Sequence, residues 1–519
     1  MQSLQQFLVA MSLGICLVGG GSLLRTSQQA DSATASFESY TASAEPEIPC
    51  FDVSDSTLPN TLDAGVLSPT TQAGALCFAW KDFIALNQPA AAGKRGMPAA
   101  DVPEVLLGEP GDAGHFKAAV WQTYKRDREV FLPKAAPPLP WNAEPPPSPE
   151  CPAGAGASDA GTAFARVTPC FLPDDSLQPH LPDGGSKPGR TWLADTSGNL
   201  VWFETRLNEA EFQYIVDAGL YNAEEQWKLS RAGTTGVNPP PGSIEIKAAW
   251  RELRDPSQYS RYLMTDAYIP APGGSRKRVQ LGLVGFHIIH KVSNQPMWMW
   301  FTFEHVDNAP TEGKLPGVGD PKDTSRTYSF YDSQCTSPPR PSKCFPSDSG
   351  TVLGNCDGGM PAYSLDAYFD GSAPECAPYP IQVVRRTALP SDKENPVQQT
   401  NDKAWVWIRG KNKDSVFQYY QLIHAMWWNN PSDSMNGGVP IPIENLRALA
   451  PQEQTPVANT VLETYAQQTN CLTCHPRAPV AVYGDGGRCG PADASNACAA
   501  DFSFVFQKAQ LPAKAPAPR

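Results

Sequence analysis

The sequence predicts a mixed α+β body rich in antiparallel strands, with a C-terminal helical segment packed on it. Three observations carry that prediction. Four central segments, 243–250, 263–269, 281–292 and 297–306, are strand-like, rich in apolar, aromatic and β-branched residues. Stretches of helical period flank them at 75–87, 208–218 and 457–468. The 519 residues include 53 Pro and 41 Gly but only 18% charged residues, which suits strands and ordered loops over long helical bundles.

Taken in chain order, the first expected element is an export signal at 1–35. An apolar run at 7–24 is broken by Gly19-Gly20-Gly21 and followed by the small-residue cleavage pattern Ala33-Thr34-Ala35. No Lys or Arg precedes the run, and Arg25 follows it. The remainder is expected to carry no stable membrane span, which places the mature protein in a bacterial periplasm or secreted. Residues 36–455 read as the α+β body. Within it, 75–87 is an amphipathic helix, and 133–190, with eight Pro between 133 and 149, is a long insertion or loop. The run 200–205 is strand-like. Asn208 then caps a helix, with Glu211 at the third helical position. Segments 281–292 and 297–306 flank Ser293-Asn294-Gln295-Pro296 and so form an antiparallel hairpin. Residues 417–428 read as a buried helix, and 456–519 as a C-terminal attachment segment packed on the body.

The 13 cysteines point to an oxidising compartment or a metal or cofactor site. Five neighbour pairs offer one disulfide pattern: Cys50–Cys77, Cys151–Cys170, Cys335–Cys344, Cys356–Cys376 and Cys489–Cys498. The net charge of −12 argues against a nucleic-acid partner.

Cys471-Leu472-Thr473-Cys474-His475 has the spacing of a c-type haem attachment motif. Two thiols three residues apart on one helical turn share an edge, where they can form thioethers to the two haem vinyl groups. The adjacent His475 then serves as the proximal iron ligand. One covalently attached haem c is therefore expected, held by Cys471, Cys474 and His475. Three other readings of the thiols remain, one of them a plain disulfide between Cys471 and Cys474. A redox CxxC belongs in a βαβ setting that is absent here. Zinc held by Cys471, Cys474, Cys489 and Cys498 departs from the ribbon spacing, because eight residues separate the second pair.

The residues after His475 contain no His and no Met, so a His or Met sixth ligand would come from upstream. The hairpin concentrates the candidates. A turn centred on Asn294-Gln295 pairs His290 with Met299 and Phe286 with Phe303. One face then carries Phe286, Ile288, His290, Met297, Met299, Phe301, Phe303 and His305. The other carries His287, Ile289, Trp298, Trp300, Thr302 and Glu304. The first face, apolar apart from its two His, suits the wall of a haem pocket. His290 therefore leads the distal candidates, followed by His287, His305 and Met299, with His424 a further one. Five-coordinate iron is the alternative, with a distal His or Glu304 as general acid or base. Against each stands the plain reading that Met and aromatics at period two form core and that a buried His is simply hydrogen-bonded.

Several stretches carry a family resemblance: 80–87 (WKDFIALN), 244–250 (IEIKAAW), 282–288 (GLVGFHI), 300–308 (WFTFEHVDN), 501–504 (DFSF) and the motif at 471–475. Across most of its length the chain resembles a group of exported bacterial proteins described only as cytochrome c family proteins. The resemblance implies a secreted monohaem protein.

The expected function is redox: electron transfer, or one-electron oxidoreductase chemistry with a redox partner protein and possible small-molecule substrate. A body of this size exceeds what electron carriage alone requires, about one small domain. A haem-based sensor or ligand-binding protein is the alternative. A secreted hydrolase or binding protein with a structural metal ranks last, because neither G-x-S-x-G nor H-E-x-x-H occurs.

Overall fold

The computed structural model describes residues 72–99, 108–109, 116–144, 151, 168–180, 189–231, 236–271, 274–293, 295–311, 327–332, 383–385, 395–427, 457–464, 466–467, 470–475, 478–481 and 500–513. All of them lie in the unit Ile48–Arg519. The expected signal at 1–35 and the expected pairs Cys335–Cys344, Cys356–Cys376 and Cys489–Cys498 fall outside the described residues.

The described elements begin with α1 (Gln72–Leu86), β1 (Lys125–Arg126), α2 (Asp127–Val130), β2 (Leu177–His180) and β3 (Gly189–Trp192). They continue with β4 (Val201–Leu207), α3 (Glu209–Asp217), α4 (Ala223–Arg231), β5 (Ile244–Glu252), β6 (Met264–Pro270), β7 (Arg276–Val292) and β8 (Gln295–His305). Last come α5 (Pro396–Lys411), β9 (Tyr420–Met426) and the single turn α6 (Cys471–Cys474). The fold is α+β with a seven-stranded sheet in the order β1-β4-β5-β7-β8-β9. β6 pairs with the first half of β7, and every pairing in this sheet is antiparallel. β2 and β3 form a separate antiparallel pair.

From Gly285 to His290 the hairpin β7–β8 has the register read from the sequence, with His290 opposite Met299 and Phe286 opposite Phe303. The turn is tighter than expected: Gln295 already belongs to β8 and pairs with Val292, and a bulge between His290 and Val292 takes up the difference. The first face of the hairpin packs on α1. Phe83 stacks on Phe303 at 4.5 Å and meets Phe286 edge-on at 5.9 Å, while Trp80 meets Phe303 at 5.1 Å. Trp80 donates from Nε1 to Asn401 of α5 at 3.0 Å. This face is the main core of the molecule. Asn208 caps α3 and accepts from the Glu211 amide, as its sequence position implies.

Three expectations change. Residues 417–427 of the expected helix at 417–428 do not form one. A short 3₁₀ turn, Val416–Tyr419, leads into β9, which completes the sheet against β8. A continuous apolar run cannot separate buried helix from buried strand, and here the free edge of β8 decides. Residues 457–464 form turns in place of a helix. The Asn459 side chain accepts from the amides of Val461 and Leu462, and Glu304 accepts the amide of Thr460, so side chains take donors that would otherwise enter a helical ladder. The 133–190 stretch is not wholly peripheral, since Trp141 packs on Phe212 and Phe171 on Trp202, both buried. A Cys151–Cys170 disulfide staples it. Cys77 is also disulfide-bonded; its expected partner, Cys50, lies outside the described residues.

Gly285 of β7 lets the 459–462 turn sit on the sheet. A Cβ there would lie 2.5 Å from Val461 Cγ2 and 3.1 Å from Asn459 Oδ1. Gly285→Ala should therefore cost about 1–3 kcal/mol through overpacking. Urea unfolding measures this, and an unchanged midpoint would show that the turn is not pressed onto the strand.

Candidate functional site

The second face of the hairpin carries the site. His287 and Ile289 of β7 and Trp300 and Thr302 of β8 share this face because side chains alternate along a strand. The 457–464 turns lie over it, fixed from below. Asn459 donates from Nδ2 to the Phe303 carbonyl at 2.6 Å and to Thr302 Oγ1 at 3.2 Å. Buried Glu304 accepts from the Thr460 amide (2.9 Å) and hydroxyl (2.8 Å) and pairs with buried Arg385. Arg385 in turn donates to the Ala458 carbonyl at 3.0 Å.

Next in the chain comes α6, with Cys471 and Leu472 packed against Ile289, Trp298, Trp300, Val457 and Phe502. Between this turn and the sheet lies a cavity of about 50 Å³. Its lining includes His287, Trp300 and Thr302 from the sheet, Glu463 and Asn470, and Cys471, Cys474 and His475. Neither Cys471 nor Cys474 is in a disulfide. Burial pushes the Cys471 thiol up, keeping it protonated.

His475 Nδ1 lies 2.6 Å from the Phe502 carbonyl. A carbonyl oxygen only accepts, so Nδ1 carries the proton. Burial lowers the His475 pKa to about 4, so the ring is neutral and the lone pair lies on Nε2. Trp300 and Phe504 flank the ring at 6.0 and 5.4 Å. The Phe502 carbonyl is aimed by two successive left-handed residues, Asp501 (φ 46°) and Phe502 (φ 67°). Such conformations cost about 1–3 kcal/mol each and persist only where the surroundings hold them. Here Trp298 Nε1 donates to the Asp501 carbonyl at 2.7 Å, Lys291 pairs with the Asp501 carboxylate, and Ser503 Oγ donates to Glu245 at 2.6 Å.

Among His290, His287, His305 and Met299, the structure brings only His287 to the cavity. The expectation that the His290 face walls the pocket is overturned, because α1 covers that face. His290 Nδ1 lies 2.7 Å from Asp82, and Met299 is buried in the main core. His305 is stacked on Tyr262 at 3.9 Å. Its Nε2 donates to the Arg261 carbonyl, and its Nδ1 accepts from the Asp307 amide. Both of its ring nitrogens are thus taken. His424 lies opposite Thr302 on β9, with Nδ1 on the Ala425 carbonyl at 2.6 Å. Glu304, the general-acid candidate, is committed to Arg385 and Thr460.

His287 Nε2 lies 3.2 Å from Glu463 Oε2, without hydrogen-bonding geometry. Burial pushes the Glu463 carboxyl up, but His287, Lys247 and the Asn459 amide outweigh it, leaving the pKa below the usual value. A carboxyl with a folded pKa below its unfolded value adds stability above the unfolded pKa, about 4.3, and loses it as pH falls through the folded one. Glu463→Gln should therefore flatten the fall in stability below about pH 4. Melting curves across that range check this, and an unaltered acid limb would contradict it.

Sequence reading missed Glu463, Asn459 and the Phe502 carbonyl. The stretch Asp501-Phe502-Ser503-Phe504 stood out, but a backbone acceptor set by left-handed φ leaves no side-chain signature.

Comparison of the chain with protein-family models, curated proteins and solved structures returns no match. No helix among the described residues is long and apolar enough to cross a membrane.

Proposed function

We propose that the protein is an exported monohaem c-type cytochrome protein acting in electron transfer or one-electron oxidoreductase chemistry. Cys471 and Cys474 would hold haem c by thioethers, and His475 would bind its iron. The observation that carries this reading is the Nδ1–H of His475 donating to the Phe502 carbonyl. A ligating imidazole is oriented by such a bond, which leaves Nε2 as the donor nitrogen and raises its basicity. The donor types suit the group, although the cavity, about 50 Å³, is smaller than the roughly 300 Å³ or more of a cofactor-sized pocket. Two thiols outside any disulfide and a neutral imidazole line one cavity, yet no three His, Cys, Asp or Glu among the described residues converge as for a single metal ion.

When bound, haem iron supplies one-electron redox chemistry tuned by its axial ligand, hydrogen bonding and burial. Trp300, Ile289 and Val457 supply apolar walls to the cavity, and His475 is held in one tautomer. His287, which lines the same cavity, would be the side chain available as a further ligand or to hold a proton beside the group. The redox partner would be another protein, met in the periplasm or outside the cell. The test is the alkaline pyridine absorption spectrum of the protein produced with a haem c maturation system. A haem c spectrum with one haem per chain is expected, and its absence overturns the reading.

A further inference from the structure

Beneath the 500–503 turn, away from the cavity, lies a cluster that electron carriage alone does not require. Glu211, the third residue of α3, is fully buried, and neither carboxyl oxygen has a hydrogen-bond partner among the described residues. Glu245 of β5 is also buried and accepts from Ser503 Oγ at 2.6 Å. Asp501 is the third carboxyl, paired with Lys291, which also donates to Asn238 Oδ1 at 2.7 Å and the Pro239 carbonyl at 2.9 Å.

Glu245, Lys291 and Asp501 act on Glu211, and Tyr214 of α3 feels both Glu211 and Asp501. Lys508, Asp127 and Lys247 act on Glu245, with Lys508 itself paired to Asp127. Around Glu211 stand two further carboxyls and one ammonium, Lys291, which is already engaged by Asp501. An ionised Glu211 would be a buried charge with no partner, which proteins avoid by holding the proton.

The cluster connects to the site in two steps. Ser503, which donates to Glu245, follows Phe502, whose carbonyl accepts from His475.

We propose that Glu211 and Glu245 form a buried proton-binding site that takes up one proton as an electron reaches the iron bound by His475. The proposal rests on the haem reading. Its balance is one electron from the redox partner and one proton from water onto a carboxylate of the pair, and oxidation returns both. Glu245 is 8% exposed, and Glu211 is fully buried. Burial places the pKa of Glu245 at about 7, while burial and Glu245 together hold Glu211 well above the carboxylate range. Glu245 is then poised to exchange its proton near neutrality.

The experiment is a redox titration of the haem-bearing protein from about pH 5 to pH 9, with Glu211→Gln, Glu245→Gln and the double variant. In the wild type the redox equilibrium should shift up to tenfold per pH unit within that range, about 59 mV for one electron. The double variant should lose this dependence. Equal pH dependence in wild type and double variant overturns the proton site while leaving the cofactor reading intact. A chain without covalent haem overturns both.

A second measurement separates a proton-binding acid from a merely tolerated one. A raised folded pKa makes ionisation costly, so stability present below the unfolded pKa is lost as pH rises toward the folded one. Glu211→Gln should therefore melt higher than wild type at about pH 8 and equally at about pH 4. Identical melting at both pH values also overturns the proposal.

Discussion

Arg385→Met should destabilise the protein by about 3–5 kcal/mol, the expected cost of leaving a buried carboxylate without its partner. Glu304 is 1% exposed and Arg385 3% exposed. The Glu304 carboxylate also holds the Thr460 amide and hydroxyl, and Arg385 holds the Ala458 carbonyl. The pair therefore rivets the 457–464 turns to β8. Without the guanidinium, Glu304 must ionise unpaired or take up a proton, and either disturbs the seat beneath α6. Adding Glu304→Gln should recover part of the loss, since a neutral amide no longer demands a counter-charge. Urea unfolding of the two single variants and the double variant gives the coupling. A loss below about 1 kcal/mol for Arg385→Met would mean that the turns are held by apolar packing alone.

Replacing both Cys471 and Cys474 with Ala should reduce covalently retained haem to background. Their sulfurs are the two thiols lining the cavity, and neither is occupied by a disulfide. Each single variant should keep one thioether and a reduced yield. The fold should survive, because Leu472, Trp300, Phe502 and Val457 still pack together. Haem staining after denaturing electrophoresis reads the result, and a stain of wild-type strength in the double variant would sink the proposed attachment.

Residues differ in how far the sequence discloses their role. The pairing of His290 with Met299 was legible from the period-two side chains, whereas the end of the hairpin was not: Gln295 pairs with Val292, and a bulge next to His290 restores the expected register. Asn208 and its helix were legible as a cap because capping is local. Which face meets the cysteine turn was not legible. Both faces of the hairpin are rich in aromatics, and long-range packing of Phe78, Trp80 and Phe83 of α1 claims the His290 side. Segment 420–426 was ambiguous for a related reason: its apolar run suits either a helix or a strand, and β8 settles it by pairing. The Asp501–Phe502 turn depends on Lys291 and Trp298, more than 200 residues away, so no local pattern encodes it.

The central claim is that His475 and the two thiols hold one haem against the His287–Trp300 face. Mass spectrometry of the proteolytic fragment containing residues 471–475, from protein made with the maturation system, tests it most directly. The account predicts a fragment heavier by one haem, bound through both cysteines. An unmodified fragment with two thiols, or one with a Cys471–Cys474 disulfide, would contradict it.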